Sequence, residues 1–179
     1  MKKIIIIILA FYSLIGCAKT DYKHVAIKDK YAGDVALSIP KGWMIKDVTD
    51  INDRKYISYK ITPTNNEEFI MTLVLNRQKL NPQFFQEQEK ASEDNIFSLI
   101  EHTFAGNQRA DLKLKRFGKL AAFGRVSASE PIYGKYMFIT QGQKNIGDNK
   151  ITFGLLSNDK DEGILNEQIK IVDSVEFKN

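Results

Sequence analysis

Hydrophobic and polar residues alternate along several stretches of this chain. Val35, Leu37 and Ile39 alternate with small or polar neighbours and are followed by a proline and a glycine. Alternation with a period of two places one set of side chains on one face of a strand. The pattern predicts a strand over 34–39 that ends in a turn, after which Trp43 closes the end of a sheet. The alternative role for Trp43 is stacking on a ligand.

More strands are predicted further along the chain, at 55–61, 69–75, 112–114, 120–128, 133–140 and 151–156. The last two flank a polar loop predicted over 143–149, and both are apolar on both faces, so each needs cover on two sides. The run 120–128 is rich in alanine and glycine, which predicts that a helix packs closely there. Most connections are too short for helical crossovers, which favours antiparallel pairing.

Two stretches show helical signals instead. Asn81 and the proline after it are typical of a helix start, and this helix is predicted to continue to Ala105. A second helix is predicted to begin after Asp159 or Asp161 and to bury Leu165, Ile169 and Val172. The elements together predict an α+β fold, an antiparallel β-sheet sandwiched between helices (an α/β/α sandwich). Its predicted core includes Leu37, Phe138, Phe153 and Leu155.

The first residues have a pattern of their own. Lys2 and Lys3 precede an apolar run over 4–14, and Gly16 precedes Cys17. This is the layout of a secretory signal peptide, and the run is shorter than the roughly twenty residues of a membrane-spanning helix. We predict a leader over 1–16, a polar tether over 17–32 and a single domain over 33–179. Loose pairing of the last part of the tether with the domain is left open.

Residues 14–17, Leu-Ile-Gly-Cys, resemble the bacterial lipobox. The resemblance implies diacylation of the Cys17 thiol, cleavage before it and acylation of the new amino terminus. Two or three acyl chains anchor a protein stably where one is marginal. The alternatives are an ordinary signal peptide with a chance cysteine, or an uncleaved anchor. By the family rule, Ala18 at the next position favours the outer over the inner membrane, so we expect a cell-envelope protein that faces the periplasm.

Composition narrows the classes of partner and chemistry. The formal charge is +4, and loss of the leader with its two lysines lowers it to +2, which gives little support for a nucleic-acid partner. The single cysteine leaves no disulfide once it is acylated. His24 and His102 lack metal-site spacing, and no nucleophile turn or phosphate loop is recognisable. We predict no enzyme activity, no cofactor and no metal site.

Charge is segregated along the chain. Acidic residues predominate over 82–106 and basic residues over 107–144. Lys113, Lys115 and Arg116 are the predicted contacts for an anionic partner, which would be a lipid headgroup, a cell-wall polymer or an acidic protein. A strand here puts both lysines on one exposed face, whereas Arg116 breaks the alternation. In the alternative interpretation, the two segments are neighbours with complementary solvated faces.

Three segments carry a family resemblance. They are the strand that ends in Pro-Lys-Gly-Trp at 40–43, the aromatic strand 133–139 with its predicted partner 151–156, and the ending 171–177. Together they resemble the PsbP-like superfamily, which includes DcrB-like lipoproteins and Mog-type Ran-binding proteins. The resemblance implies an antiparallel sheet between helices and a non-enzymatic binding or assembly role. It implies no catalytic residues.

Two functions from different classes remain open, and an envelope hydrolase is kept as a third and minor alternative. The first is a lipid-anchored envelope lipoprotein that acts as a non-catalytic binding or assembly module with an envelope protein as partner. The second is a lipid-anchored immunity protein that neutralises a periplasmic toxin. A toxin gene beside this gene would favour the second.

Overall fold

The structure is a computed structural model and describes residues 20–30, 32–48, 58–64, 69–77, 80, 82, 92–104, 111–160 and 162–178. This part of the chain contains ten strands and two helices. In chain order they are β1 (Tyr22–Asp29), β2 (Gly33–Pro40), β3 (Trp43–Asp47), β4 (Ser58–Pro63), β5 (Phe69–Arg77), α1 (Ile96–Phe104), β6 (Lys113–Gly118), β7 (Ala121–Ser127), β8 (Phe138–Ile146), β9 (Asn149–Ser157), α2 (Gly163–Asp173) and β10 (Glu176–Phe177).

The strands form two sheets. Seven strands lie in the order β3-β4-β5-β9-β8-β7-β6, and three lie in the order β1-β2-β10. Every strand pair is antiparallel, as the short connections predicted. The chain passes from the smaller sheet to the larger at the turn before Trp43, where Gly42 has a φ of 81°, a conformation that glycine adopts without steric cost.

One main core lies between the two sheets. Leu37 from β2, Leu73 from β5 and Phe153 from β9 are all buried in it, and α2 adds Leu165 and Ile171. Trp43 packs at its margin with its ring centroid 5.3 Å from that of Phe69, in agreement with the predicted role at the sheet end.

Three of the four predicted core residues are confirmed. Each of Leu37, Phe153 and Leu155 is at most 2% exposed to solvent. Phe138 is only half-buried, because it opens β8 beside a cavity and its ring lies under the guanidinium of Arg125.

A second, smaller core lies on the other face of the large sheet. Ile100 and Phe104 of α1 pack there on Ala122 and Val126 of β7. A Cβ atom at Gly124 would lie 2.7 Å from a ring carbon of Phe104, so the helix needs glycine at this position. The prediction that a helix packs closely on the small residues of 120–128 is therefore confirmed.

The predicted α/β/α sandwich is wrong. Strands predominate in the described part of the chain, and the main core is closed chiefly by the three-stranded sheet rather than by a helical layer. The apolar faces of β8 and β9 are packed against other elements, as predicted. The expectation that only helices pack on them was wrong because one strand of the smaller sheet has a weak alternation of hydrophobic and polar residues.

That strand is β1, which lies within the predicted tether. It pairs with β2 over eight positions, from Tyr22 opposite Pro40 to Asp29 opposite Gly33. Val25 and Ile27 contact the main core on the face that they share. Residues from Tyr22 to Asp29, which lie within the predicted tether, therefore belong to the fold.

Two further boundaries differ from the prediction. Residues 143–146, predicted as loop, continue β8, and the connection to β9 is the turn at Gly147 and Asp148. Residues 92–95 are not helical, although the first helix was predicted to run through them. Ser92 and Asn95 exchange side-chain to backbone hydrogen bonds of 2.6 and 3.3 Å, a reciprocal pattern typical of a helix start. The earlier half of that predicted helix lies mostly outside the described residues.

Candidate functional site

The predicted lysines lie on β6, at one edge of the seven-stranded sheet. Lys113 is opposite Arg125 and Lys115 is opposite Phe123, so both point to the same face of the sheet. Both side chains are exposed, and neither makes an ion pair or a hydrogen bond within the described part of the chain. An edge strand with free cations can meet an extended anionic segment.

Arg116 belongs to a different environment. It pairs with Ala122 on the opposite face, where its guanidinium lies 4.7 Å from the centroid of the Phe97 ring and donates to the backbone carbonyl of Glu93. The Glu93 carboxylate also forms a 3.0 Å ion pair with Lys119. The structure therefore does not bring the three predicted residues together, and these contacts favour the alternative of complementary neighbours for Arg116.

A cavity of about 550 Å³ opens beside Lys113. On its wall lies Arg125, whose side chain is only 7% exposed. The guanidinium lies 4.5 Å from the centroid of the Phe138 ring, and Nη2 donates to the carbonyl of Asp159 at 2.5 Å. Nη1 lies 3.4 Å from Oε1 of Glu162 but makes no hydrogen bond within the described residues.

Glu162 precedes α2 with an unusual backbone. Its φ of 63° is the one positive value at a non-glycine residue among those described. A side chain in this left-handed region costs roughly 1–2 kcal/mol. Glu162 occupies the N-cap position of α2, but its side chain makes no capping hydrogen bond. The Asp159 carboxylate accepts the backbone N–H of Ile164 instead, at 2.6 Å. The Glu162 carboxylate is thus available to Arg125.

Of the other charged side chains that line the cavity, one is hydrogen-bonded and two are without ion pairs among the described residues. Asp111 accepts the backbone N–H and the hydroxyl of Ser127, at 3.0 and 2.8 Å. Lys160, like Lys113, is exposed and makes no ion pair or hydrogen bond in the part of the chain that the structure describes. Three basic and two acidic side chains line the cavity, so its field favours an anion.

A buried lysine lies elsewhere on the large sheet. Lys150 is 7% exposed and stands between Asn76 and Asn145 in the strand register. Burial lowers the pKa of Lys150 to about 8. Gln143 donates to Asn145 at 3.0 Å, and Oδ1 of Asn76 accepts no hydrogen bond from the described residues. A lysine with a lowered pKa can act as a base or a nucleophile when substrate reaches it.

The lipidation site Cys17 lies outside the described residues, so acylation stays a prediction. Within residues 20–178, as far as they are described, no helix has the length and apolar character to cross a bilayer. The same residues contain no group of three or more His, Cys, Asp or Glu side chains that could hold a metal ion.

The sequence interpretation missed Arg125 and Glu162. Arg125 stands in the run of small and apolar residues over 120–128, on the same strand face as Phe123. A lone charge at an inward position of a buried strand is costly unless it is paired, and that cost was an available signal. Nothing local marks Glu162 as its partner.

Comparisons with known proteins give one similar structure and no matching family. No family model matches the chain, and no curated protein matches it. Among solved structures, it is similar to the solution structure of cyanobacterial PsbP from Synechocystis. The identity is 10%, the TM-score is 0.49, and the match covers 91% of this chain and 96% of that chain.

This neighbour bears the name of the superfamily that the sequence resembles. The DcrB-like and lipoprotein parts of that prediction have no counterpart among the comparisons. A TM-score below 0.5 carries no conclusion about function.

Proposed function

We propose that the protein is a lipid-anchored envelope lipoprotein that acts as a non-catalytic binding module for an acidic partner. The anchor is supported by the lipobox-like residues 14–17, with Cys17 as the acylated residue. The proposed location is the periplasmic side of the envelope, at the outer membrane.

The observation that carries the binding role is the pair Lys113 and Lys115 on edge strand β6. Both ammonium groups point to one face and lack ion pairs within the described residues, whereas Arg116 and Lys119 are engaged with Glu93. Exposed cations that are not neutralised locally can steer an anionic partner, and the effect weakens as salt screens it. We propose an acidic envelope protein as this partner.

The test is affinity capture of the full acylated chain from solubilised envelopes, with wild type compared with Lys113→Glu/Lys115→Glu. Arg116 is left intact, because its contacts with α1 would confuse binding with folding. We expect the variant to lose its acidic partner at low salt while its circular dichroism is unchanged.

A matched control is Lys23→Glu/Lys28→Glu on β1, the edge of the smaller sheet, which changes the net charge equally. It should retain the partner. If both variants recover the partner equally at low and at high salt, the binding role is wrong. Lys113 and Lys115 would then only keep the edge strand soluble. Capture of a secreted toxin in place of an envelope component would favour the immunity function.

The anchor has its own test. Cys17→Ser should move the protein out of the membrane fraction, because no other cysteine can be acylated. If the variant stays with the membranes after a carbonate wash, the lipoprotein proposal is wrong.

A further inference from the structure

The contact between Arg125 and Glu162 is a poor ion pair in a place where a good one is expected. Charge-assisted N–H···O hydrogen bonds are about 2.7–2.9 Å long. Here Nη1 and Oε1 are 3.4 Å apart, and Nη1 has no hydrogen bond among the described residues. A buried guanidinium with an unsatisfied N–H is energetically costly.

The arginine itself is well held. Stacking on Phe138 and the hydrogen bond to the Asp159 carbonyl fix the plane of the guanidinium in the cavity wall. Glu162 is held less well, since its side chain is 38% exposed and its backbone lies in the strained left-handed region. A carboxylate supplied from outside has the same chemistry as Glu162 and is free of this constraint.

The surroundings favour such a replacement. Lys113 and Lys160 line the same cavity without ion pairs among the described residues, and Asp111 is occupied by Ser127. When Glu162 leaves Arg125, an incoming anion meets one fixed guanidinium and two exposed ammonium groups. The cavity of about 550 Å³ lies in the size range of small-molecule sites.

We propose that this cavity binds a carboxylate group, which displaces Glu162 from Arg125. The occupant is a carboxylate because a carboxylate already stands at this position and a guanidinium matches its planar geometry. The inference rests on the proposed function, because Lys113 belongs to both surfaces and the bound carboxylate would be a side chain or terminus of the acidic partner.

The test is a titration of the full chain, held in detergent micelles, with succinate. Binding is followed by NMR through the side-chain N–H resonance of Arg125. Succinamide, which has a similar shape without charge, is the control probe. We expect a saturable shift with succinate and none with succinamide. Glu162→Gln should lower the dissociation constant by about tenfold, the equivalent of roughly one charge-assisted contact removed from competition.

Three further variants make the test specific. Glu176→Gln removes an equal charge from β10 and should leave succinate binding unchanged. Lys113→Gln/Lys160→Gln should raise the dissociation constant several-fold without touching the buried arginine. Arg125→Lys keeps the charge but loses the planar fork, and it should weaken binding even if the fold is retained.

The proposal is wrong if Glu162→Gln and wild type bind succinate equally, or if succinamide produces the same shift. Its failure is distinguishable from that of the proposed function. Partner capture that is lost on lysine reversal but insensitive to Glu162→Gln would leave the edge strand as the binding surface. Succinate binding without any captured partner would support the cavity alone.

Discussion

Neighbouring charged residues on the large sheet have different roles because adjacent side chains of a strand point to opposite faces. Lys115 is exposed beside Lys113, whereas Arg116 turns toward α1 and stacks on Phe97. Arg125, on the neighbouring strand, shares the face of Lys113 but is buried. The role of each cation is therefore set by its strand face and by what covers that face.

Lys150 provides a prediction about pH. Because burial lowers its pKa from 10.5 to about 8, the unfolded chain holds a proton between these values that the folded chain has lost. The free energy of unfolding should therefore rise with pH from about 8, by at most about 1.4 kcal/mol per pH unit. Lys150→Met should abolish this rise in urea melts up to about pH 9.5.

Lys115→Met is the matched control, because that side chain is exposed, and it should keep the wild-type pH dependence. Parallel pH profiles for wild type and Lys150→Met would contradict the lowered pKa.

The ring of Phe153 on β9 packs directly over Gly142 on the neighbouring strand β8. A Cβ atom at position 142 would lie 2.1 Å from Cζ of Phe153. Phe153→Ala should cost about 3–5 kcal/mol of unfolding free energy, and Gly142→Ala should cost about 1–3 kcal/mol or more through overpacking. The double variant should be less destabilised than the sum by about 0.5–3 kcal/mol, because the new methyl group occupies space that the ring has left.

Denaturant melts measure this coupling, and Val126→Ala combined with Gly142→Ala serves as the control. Val126 lies in the smaller core on the opposite face, so that pair should be additive. Strict additivity of the Phe153 pair would show that the two residues are not in contact.

At the scale of elements, α1 is held by its apolar face and by Arg116 at its beginning. The guanidinium contacts Phe97 within the helix and the Glu93 carbonyl just before it. Arg116→Ala should lower the free energy of unfolding by about 1–2 kcal/mol through loss of both contacts. Lys115→Ala should change it by less than about 0.5 kcal/mol, since its side chain makes no contact of this kind.

Hydrogen exchange of the α1 amides adds a local measurement. Exchange should accelerate in Arg116→Ala and not in Lys115→Ala. If the two variants behave alike, Arg116 does not anchor the helix.

At the scale of the whole molecule, β6 and β7 join the two cores. Phe117 of β6 packs against the main core and Leu114 packs against the smaller one. Phe123 of β7 contributes to the main core, and Ala122 beside it contributes to the smaller one. Among the described residues, the smaller sheet has no core of its own, because the buried apolar residues of β2 belong to the core that it shares with the large sheet. Unfolding should therefore be a single transition, with coincident curves for Trp43 fluorescence and far-ultraviolet circular dichroism. Two separated transitions would show that the α1 region unfolds on its own.

The sequence alone determined most strand positions, their antiparallel pairing, the close helix contact on β7 and the position of α2. These features depend on local patterns: alternation, small residues and turn or cap residues within a few positions. The leader and Cys17 were identified in the same way and stay predictions. The same patterns also placed Lys113 and Lys115 on one face.

Only the tertiary structure decided what covers each face. Val25 and Ile27 gave β1 too weak a pattern to be distinguished from a tether, and pairing with β2 makes it a strand. Arg125 meets Glu162 because β7 and the start of α2 come together, although they are far apart in sequence. Such contacts depend on long-range packing, which neither alternation nor spacing encodes, so the cavity and the carboxylate site that we propose there could be identified only in the folded chain.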